Sequence, residues 1–175
     1  VLIYFWKDTH SILLGFYDLS TGKGSSKSAK LLKFLILVTI PVIVIGALFK
    51  ITGLIEMLRT IEVIGWTMVI FGVFLYLADR YSNKERTEFS LNPRHIIVLG
   101  LWQSLALIPG TSRAGATITA GLLLGYKRRN AVRISMLMAI PTIFASGVYE
   151  SYEIWQTKNS IPIIDVLLVT VSTFI

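Results

Sequence analysis

The stretch IIVLGLWQSLALI-PGTSR-AGATITAGLLLGY, residues 96–126, decides how this chain is built. Thirteen uncharged residues stand on each side of Pro109–Arg113, and Arg113 is the one charge in the run. An arginine at the centre of a membrane helix costs about 2.5–3.5 kcal/mol on insertion scales, and by default it marks a substrate or ion site. Each flanking arm rises roughly 20 Å as a helix, too little to cross a hydrocarbon core of ~30 Å. The run is therefore a broken helix that crosses once or a re-entrant hairpin that returns to its starting face. In either case the backbone breaks at Pro109-Gly110-Thr111-Ser112, which is tolerated at that depth only inside protein or against a wet cavity.

The rest of the chain places this run in a membrane. Hydrophobic residues make up 54% of the sequence and charged residues 15%, and the charges are confined between long apolar segments. That is the composition of a polytopic membrane protein, not of a soluble domain. Membrane spans are expected at 31–49, 61–78, 134–149 and 162–175, with Pro41 and Gly46 as tolerated irregularities and Pro141 as a kink. Residues 1–6 read as the tail of an earlier span, residues 21–28 as a flexible loop, and the whole of 1–175 as one membrane domain. The chain starts and stops inside apolar runs, so it reads as an internal piece of a longer protein. It has no cysteine, which excludes disulfides and thiolate metal sites. The net charge of +7 comes from short loops, where it sets topology and needs no nucleic-acid partner.

Those loops choose between the two architectures. Residues 7–33, 80–94 and 127–133 carry thirteen of the seventeen basic residues, against Lys50, Arg59 and Lys158 in the remaining loops. The positive-inside rule puts the three rich segments on one face. The run between the second and third must then turn back, so a re-entrant hairpin is expected over 95–126. Its tip, Pro109–Arg113, would lie near mid-membrane. The second arm starts there with free N–H groups and the positive end of its dipole. Thr111 or Ser112 is the expected N-cap, and Arg113 adds a planar fork suited to phosphate oxygens. The expected ligand is an anion, phosphate first.

At these residues the sequence resembles the undecaprenyl-diphosphate phosphatases, the bacitracin-resistance family of bacterial membranes. The resemblance runs from Gly100 to Gly125 through P-G-T-S-R and continues through Arg128, Ala131 and Ser135 to Ala139–Pro141. It implies an all-α, polytopic membrane bundle with a re-entrant hairpin, half of an inverted-repeat architecture. It also implies a multi-pass hydrolase of the bacterial inner membrane that converts polyprenyl diphosphate to the monophosphate plus phosphate and recycles the lipid carrier for peptidoglycan. Carried over by position, Arg113, Ser112 and Thr111 are the catalytic residues, and Gly110, Arg113, Gln103 and Gly115 contact substrate. Gln103 matches the first position of an acid-or-amide-x-x-x-acid element whose second position here is Leu107. Ala114 stands where the family commonly has serine, which removes one hydroxyl contact.

The family also implies a divalent cation, Mg or Ca. Its ligands are expected in a first half with a glutamate-rich element and a Pro-x-Ser-Ser-x-Gly-His motif, neither of which occurs in this chain. No metal ligand is assigned here, and the fragment alone is expected to be inactive. The expected partners are the lipid substrate and the bilayer, with a homodimer as the candidate assembly. A transporter or flippase that binds an anion at a broken-helix site is the rival reading.

Plainer roles are expected elsewhere. Gly121-Leu-Leu-Leu-Gly125 reads as close helix packing. The tryptophans at 6, 66, 102 and 155 include interfacial anchors, and Asp165 caps or snorkels.

Overall fold

A computed structural model describes residues 4–83, 85–87 and 91–156. Seven helices follow in order: α1 (Trp6–Ser20), α2 (Lys27–Ile51), α3 (Leu54–Leu58), α4 (Ile61–Tyr81), α5 (Pro93–Leu105), α6 (Arg113–Leu123) and α7 (Arg128–Gln156). Local chemistry sets their starts. Ser26, Thr60 and Ser112 each accept a backbone N–H at the N-cap of α2, α4 and α6. Asn92 does so at α5, where Pro93 takes the first helical position and its missing N–H costs nothing.

Lys27–Ile51, Ile61–Tyr81 and Arg128–Tyr149 are long and apolar enough to cross a membrane, and they contain the spans expected at 31–49, 61–78 and 134–149. α2 continues through Pro41 and α7 through Pro141. The span expected at 162–175, with Asp165, lies outside the described residues. So do residues 1–3 of the run read as the tail of an earlier span, whose last residue, Trp6, begins α1. Two helices escaped the sequence reading. α1 occupies the first basic segment, with Asp8, Ile12 and Gly15 buried at helical spacing. α3 is a short helix in the α2–α4 connection.

Residues up to Thr142 form one compact unit, and those from Ile143 form a second, of which the end of α7 is the described part. In the first unit the core lies where α2, α5, α6 and the start of α7 meet. It is built from Phe34, Leu35, Val38, Leu99, Ala120, Leu137 and Met138. Lipid is as apolar as leucine, so such helices gain little from hydrophobic burial and depend on close approach and hydrogen bonds. Two glycines supply the approach. A Cβ at Gly100 would stand 2.7 Å from Pro41 Cγ of α2, and one at Gly121 would stand 2.9 Å from Ala131 Cβ of α7. The packing reading of Gly121 holds. α4 leaves most of its apolar side chains exposed, as a lipid-facing helix does.

The hairpin is present. His95 at the start of α5 and Tyr126 just past α6 share a hydrogen bond, Nδ1 to OH, of 2.8 Å. The chain therefore enters and leaves the 95–126 run at the same end. Backbone bonds fasten that end to the segment after α4: Arg86 N donates to Gly125 O at 2.9 Å, and Lys127 N to Arg86 O at 2.9 Å. Two ion pairs lie at the start of α7, Arg128 with Asp79 of α4 and Arg133 with Asp8 of α1. The three basic segments thus meet at one end of the unit.

Candidate functional site

The tip of the hairpin is a turn held by its own backbone and by α4. After α5 the chain tightens, with Leu107 N bonding Ser104 O, Ile108 N bonding Leu105 O, and Thr111 N bonding Ile108 O. Pro109 has no N–H, and its carbonyl accepts from Thr67 Oγ1 of α4 at 2.7 Å. Gly110 has φ +87, the left-handed region that favours glycine. A Cβ there would stand 2.3 Å from Thr67 Oγ1 and 2.6 Å from Ile64 O. Ile64 and Thr67 lie near the start of α4, so the tip sits beyond the middle of that helix, roughly 20 Å of helical rise from Tyr81.

Ser112 is the N-cap of α6. Its Oγ accepts from Gly115 N at 3.1 Å, and its carbonyl accepts from Ala116 N at 2.8 Å. The N–H groups of Arg113 and Ala114 have no acceptor among the described residues, as the first turn of a helix dictates. The Arg113 side chain is half-buried and makes no hydrogen bond or ion pair with any described residue. Thr111 is buried, and its Oγ1 is without a partner. Ser112 is exposed, and its hydroxyl hydrogen remains available beyond the cap. One loop and one helix end therefore gather unspent donors of a single kind, all of them suited to an anion.

Two of the expected contacts have other duties. The Gly115 amide is spent on the Ser112 cap, and a Cβ at this glycine would press on Ser112 Cβ at 3.3 Å. Gln103 is fully buried and donates from Nε2 to Thr142 Oγ1 of α7 at 3.0 Å, which leaves its Oε1 without a partner. It fastens α5 to α7 and keeps one acceptor in reserve. Trp102, read as an interfacial anchor, stands edge-on to Phe71 and Phe74 between α5 and α4.

Behind the tip stand threonines that the sequence does not single out. Thr117 Oγ1 donates to Arg113 O at 2.8 Å and lies 2.6 Å from Ser135 Oγ, so α7 braces the turn that presents Arg113. The one available signal was spacing: Thr117 follows Arg113 by four residues, on the same helix face.

Among the described residues no three His, Asp or Glu side chains come together to hold a metal ion. Residues 95–126 contain no Asp or Glu. The residues present do not fit a divalent cation on their own.

A model of the family described as bacitracin resistance protein BacA matches residues 1–175. Proteins named undecaprenyl-diphosphatase are similar over most of the chain. One from Jannaschia sp. (strain CCS1) is 47% identical over 160 residues, 91% of this chain and 60% of the relative. One from Ruegeria pomeroyi is 48% identical over 162 residues, again 91% and 60%. One from Paenarthrobacter aurescens is 40% identical over 155 residues, 87% of this chain and 56% of the relative. The chain spans roughly three fifths of the length of these relatives. A match along its whole length, on a multi-pass helical membrane fold, places the chain in the BacA family of bacitracin resistance proteins.

Proposed function

We propose that this chain supplies the phosphate-binding half of an undecaprenyl-diphosphate phosphatase of the bacterial inner membrane. The full-length protein would hydrolyse polyprenyl diphosphate and return the monophosphate to peptidoglycan synthesis. The observation that carries this reading is the tip itself: an unpartnered Arg113 beside two free α6 N–H groups and the unpartnered hydroxyl of Thr111. The relatives' shared name supports hydrolysis over transport.

In the reaction, a water oxygen attacks the terminal phosphorus and the bridging P–O bond breaks. The prenyl monophosphate leaves, and inorganic phosphate is released. Negative charge builds on the oxygens around phosphorus, and donors already aimed there stabilise it without reorganising. Arg113 spans two of these oxygens with its planar fork. The Arg113 and Ala114 N–H groups and the Thr111 and Ser112 hydroxyls take the rest, and Thr117 with Ser135 keeps Arg113 in place. A divalent cation would add charge neutralisation. Its ligands belong, in this proposal, to the part of the relatives' length outside this chain, as does the group that orients the water. The lipid tail stays in the bilayer and enters from the side.

Phosphate release from polyprenyl diphosphate by the full-length protein tests this. Turnover that survives Arg113→Ala would sink the reading, and movement of intact substrate without phosphate release would favour a carrier. The 175-residue chain alone is expected to show no turnover, and Arg113-dependent activity from it would overturn the two-half arrangement.

A further inference from the structure

A groove of about 920 Å³ lies on the surface away from the tip. It is lined by Leu77 of α4, Trp102 of α5 and Leu123 of α6. Leu77 and Leu123 are 42% and 56% exposed, so the groove opens sideways on the surface of this unit. Along α6 its lining runs from Thr119 to Gly125, about 9 Å of helical rise, and it starts about 9 Å from Arg113. Along α5 the lining reaches Leu105, the last residue of that helix, but none of Pro109–Arg113 takes part, so the groove is a separate place from the phosphate site.

Its mouth is polar and opens at the basic end. Arg86 extends across Gly125, its Nε 3.6 Å from where a Cβ on that glycine would be. The Arg86 guanidinium has no hydrogen bond or ion pair among the described residues. Among the groove's described lining residues the carboxylate is Glu85, which accepts from Asn83 Nδ2 at 3.2 Å. Arg80 at the end of α4, Lys127 just before α7 and Arg129 at the start of α7 are exposed nearby in sequence, whereas Asp79 is engaged by Arg128.

We propose that this groove holds one acyl chain of an anionic phospholipid, with the headgroup phosphate on Arg86. An apolar trough facing a bilayer accepts any hydrocarbon chain, so the chain alone confers no selectivity. The mouth does: basic pockets between membrane helices hold anionic headgroups, and a zwitterionic lipid brings its own cation into a cationic surface. The lipid would wedge α4 against the base of the hairpin, where the backbone bonds of Arg86 already hold it.

Native mass spectrometry of the full-length protein, titrated with dioleoyl-phosphatidylglycerol or dioleoyl-phosphatidylcholine, tests the proposal. One phosphatidylglycerol should bind about five-fold more tightly than phosphatidylcholine, the effect of roughly one basic side chain at an anionic surface. Arg86→Gln should bring the two lipids to parity, because the backbone bonds of residue 86 survive the change. Leu123→Trp should fill the groove and remove the tight site. If that variant does not fold, Leu77→Trp carries the same expectation from α4. Equal binding of both lipids by the parent protein overturns the proposal, as does a preference that survives Arg86→Gln. Failure to take up any lipid also overturns it and would mean that another segment of the protein covers the groove.

Discussion

Thr111 offers the clearest separation of binding from folding. Its buried hydroxyl has no partner, a condition that costs about 1–3 kcal/mol in a folded protein. Thr111→Val should therefore leave the melting temperature unchanged or raise it, while phosphate release by the full-length protein falls about ten-fold. A fall in stability that accounts for the whole activity loss would reduce Thr111 to a structural residue. Arg113→Ala should cost at least about 100-fold in kcat/KM, the usual effect of losing one donor to developing charge. Arg113→Lys should recover only part, because the point charge lacks the fork. Near-normal turnover of the lysine variant would exclude bidentate recognition. The break at Pro109-Gly110-Thr111-Ser112 and the charge of Arg113 were legible in sequence, the first as a helix stop and start and the second as the one charge in the run. Thr67, Thr117 and Thr142 were not, since a helical threonine can satisfy itself on the carbonyl four residues back, as all three do here. Which of them also reaches a neighbouring helix depends on packing that no local pattern records.

The hairpin is held at both ends by contacts that join distant parts of the chain, and each can be tested. At the tip, Gly110→Ala would force a Cβ into Thr67 and Ile64 and impose a side chain on positive φ. Loss of the folded hairpin is expected, read as protease cleavage within 106–112 under conditions where the parent chain is protected. At the base, burial first, then the charges of Arg86 and Arg94, holds the His95 imidazole below the ordinary histidine range. As pH falls through about 6.5 the unfolded chain takes up this proton while the folded chain does not. The stability present above that pH is therefore lost progressively below it, until the folded imidazole itself titrates. Thermal melts between pH 7.5 and 5.5 should show this decline, and His95→Gln should flatten it. A slope unchanged by the substitution would place the titrating group elsewhere. Tyr126→Phe should cost about 1–3 kcal/mol at neutral pH, since it strips the partner from a buried ring nitrogen. The sequence placed His95 at a segment margin, and nothing local to it could reveal a partner 31 positions away.

Apolar runs of this length can be recognised without a structure, because the hydrocarbon core sets how many residues a crossing requires. Three helices long and apolar enough to cross, and the α5–α6 hairpin, were legible for that reason. α1 was not, since its apolar stripe is short and interrupted by the charges that made the segment look like a loop. Its packing on α2 at Gly15, and its Asp8 bonded to Arg133, give those charges a fixed place. The topology itself rests on charge counting and on the His95–Tyr126 closure, and it can be measured directly because the chain contains no cysteine. Single cysteines at Lys23, Asn83 and Arg129 fall on the three basic segments, and one at Thr52 falls on the connection between α2 and α3. In intact cells a membrane-impermeant maleimide should label only Thr52→Cys, and permeabilisation should expose the other three. A central run that crosses the membrane would instead put Asn83→Cys and Arg129→Cys on opposite faces. Asn83 and Arg129 therefore decide the matter: they bracket the hairpin, and joint protection is possible only if the chain turns back at Pro109–Arg113.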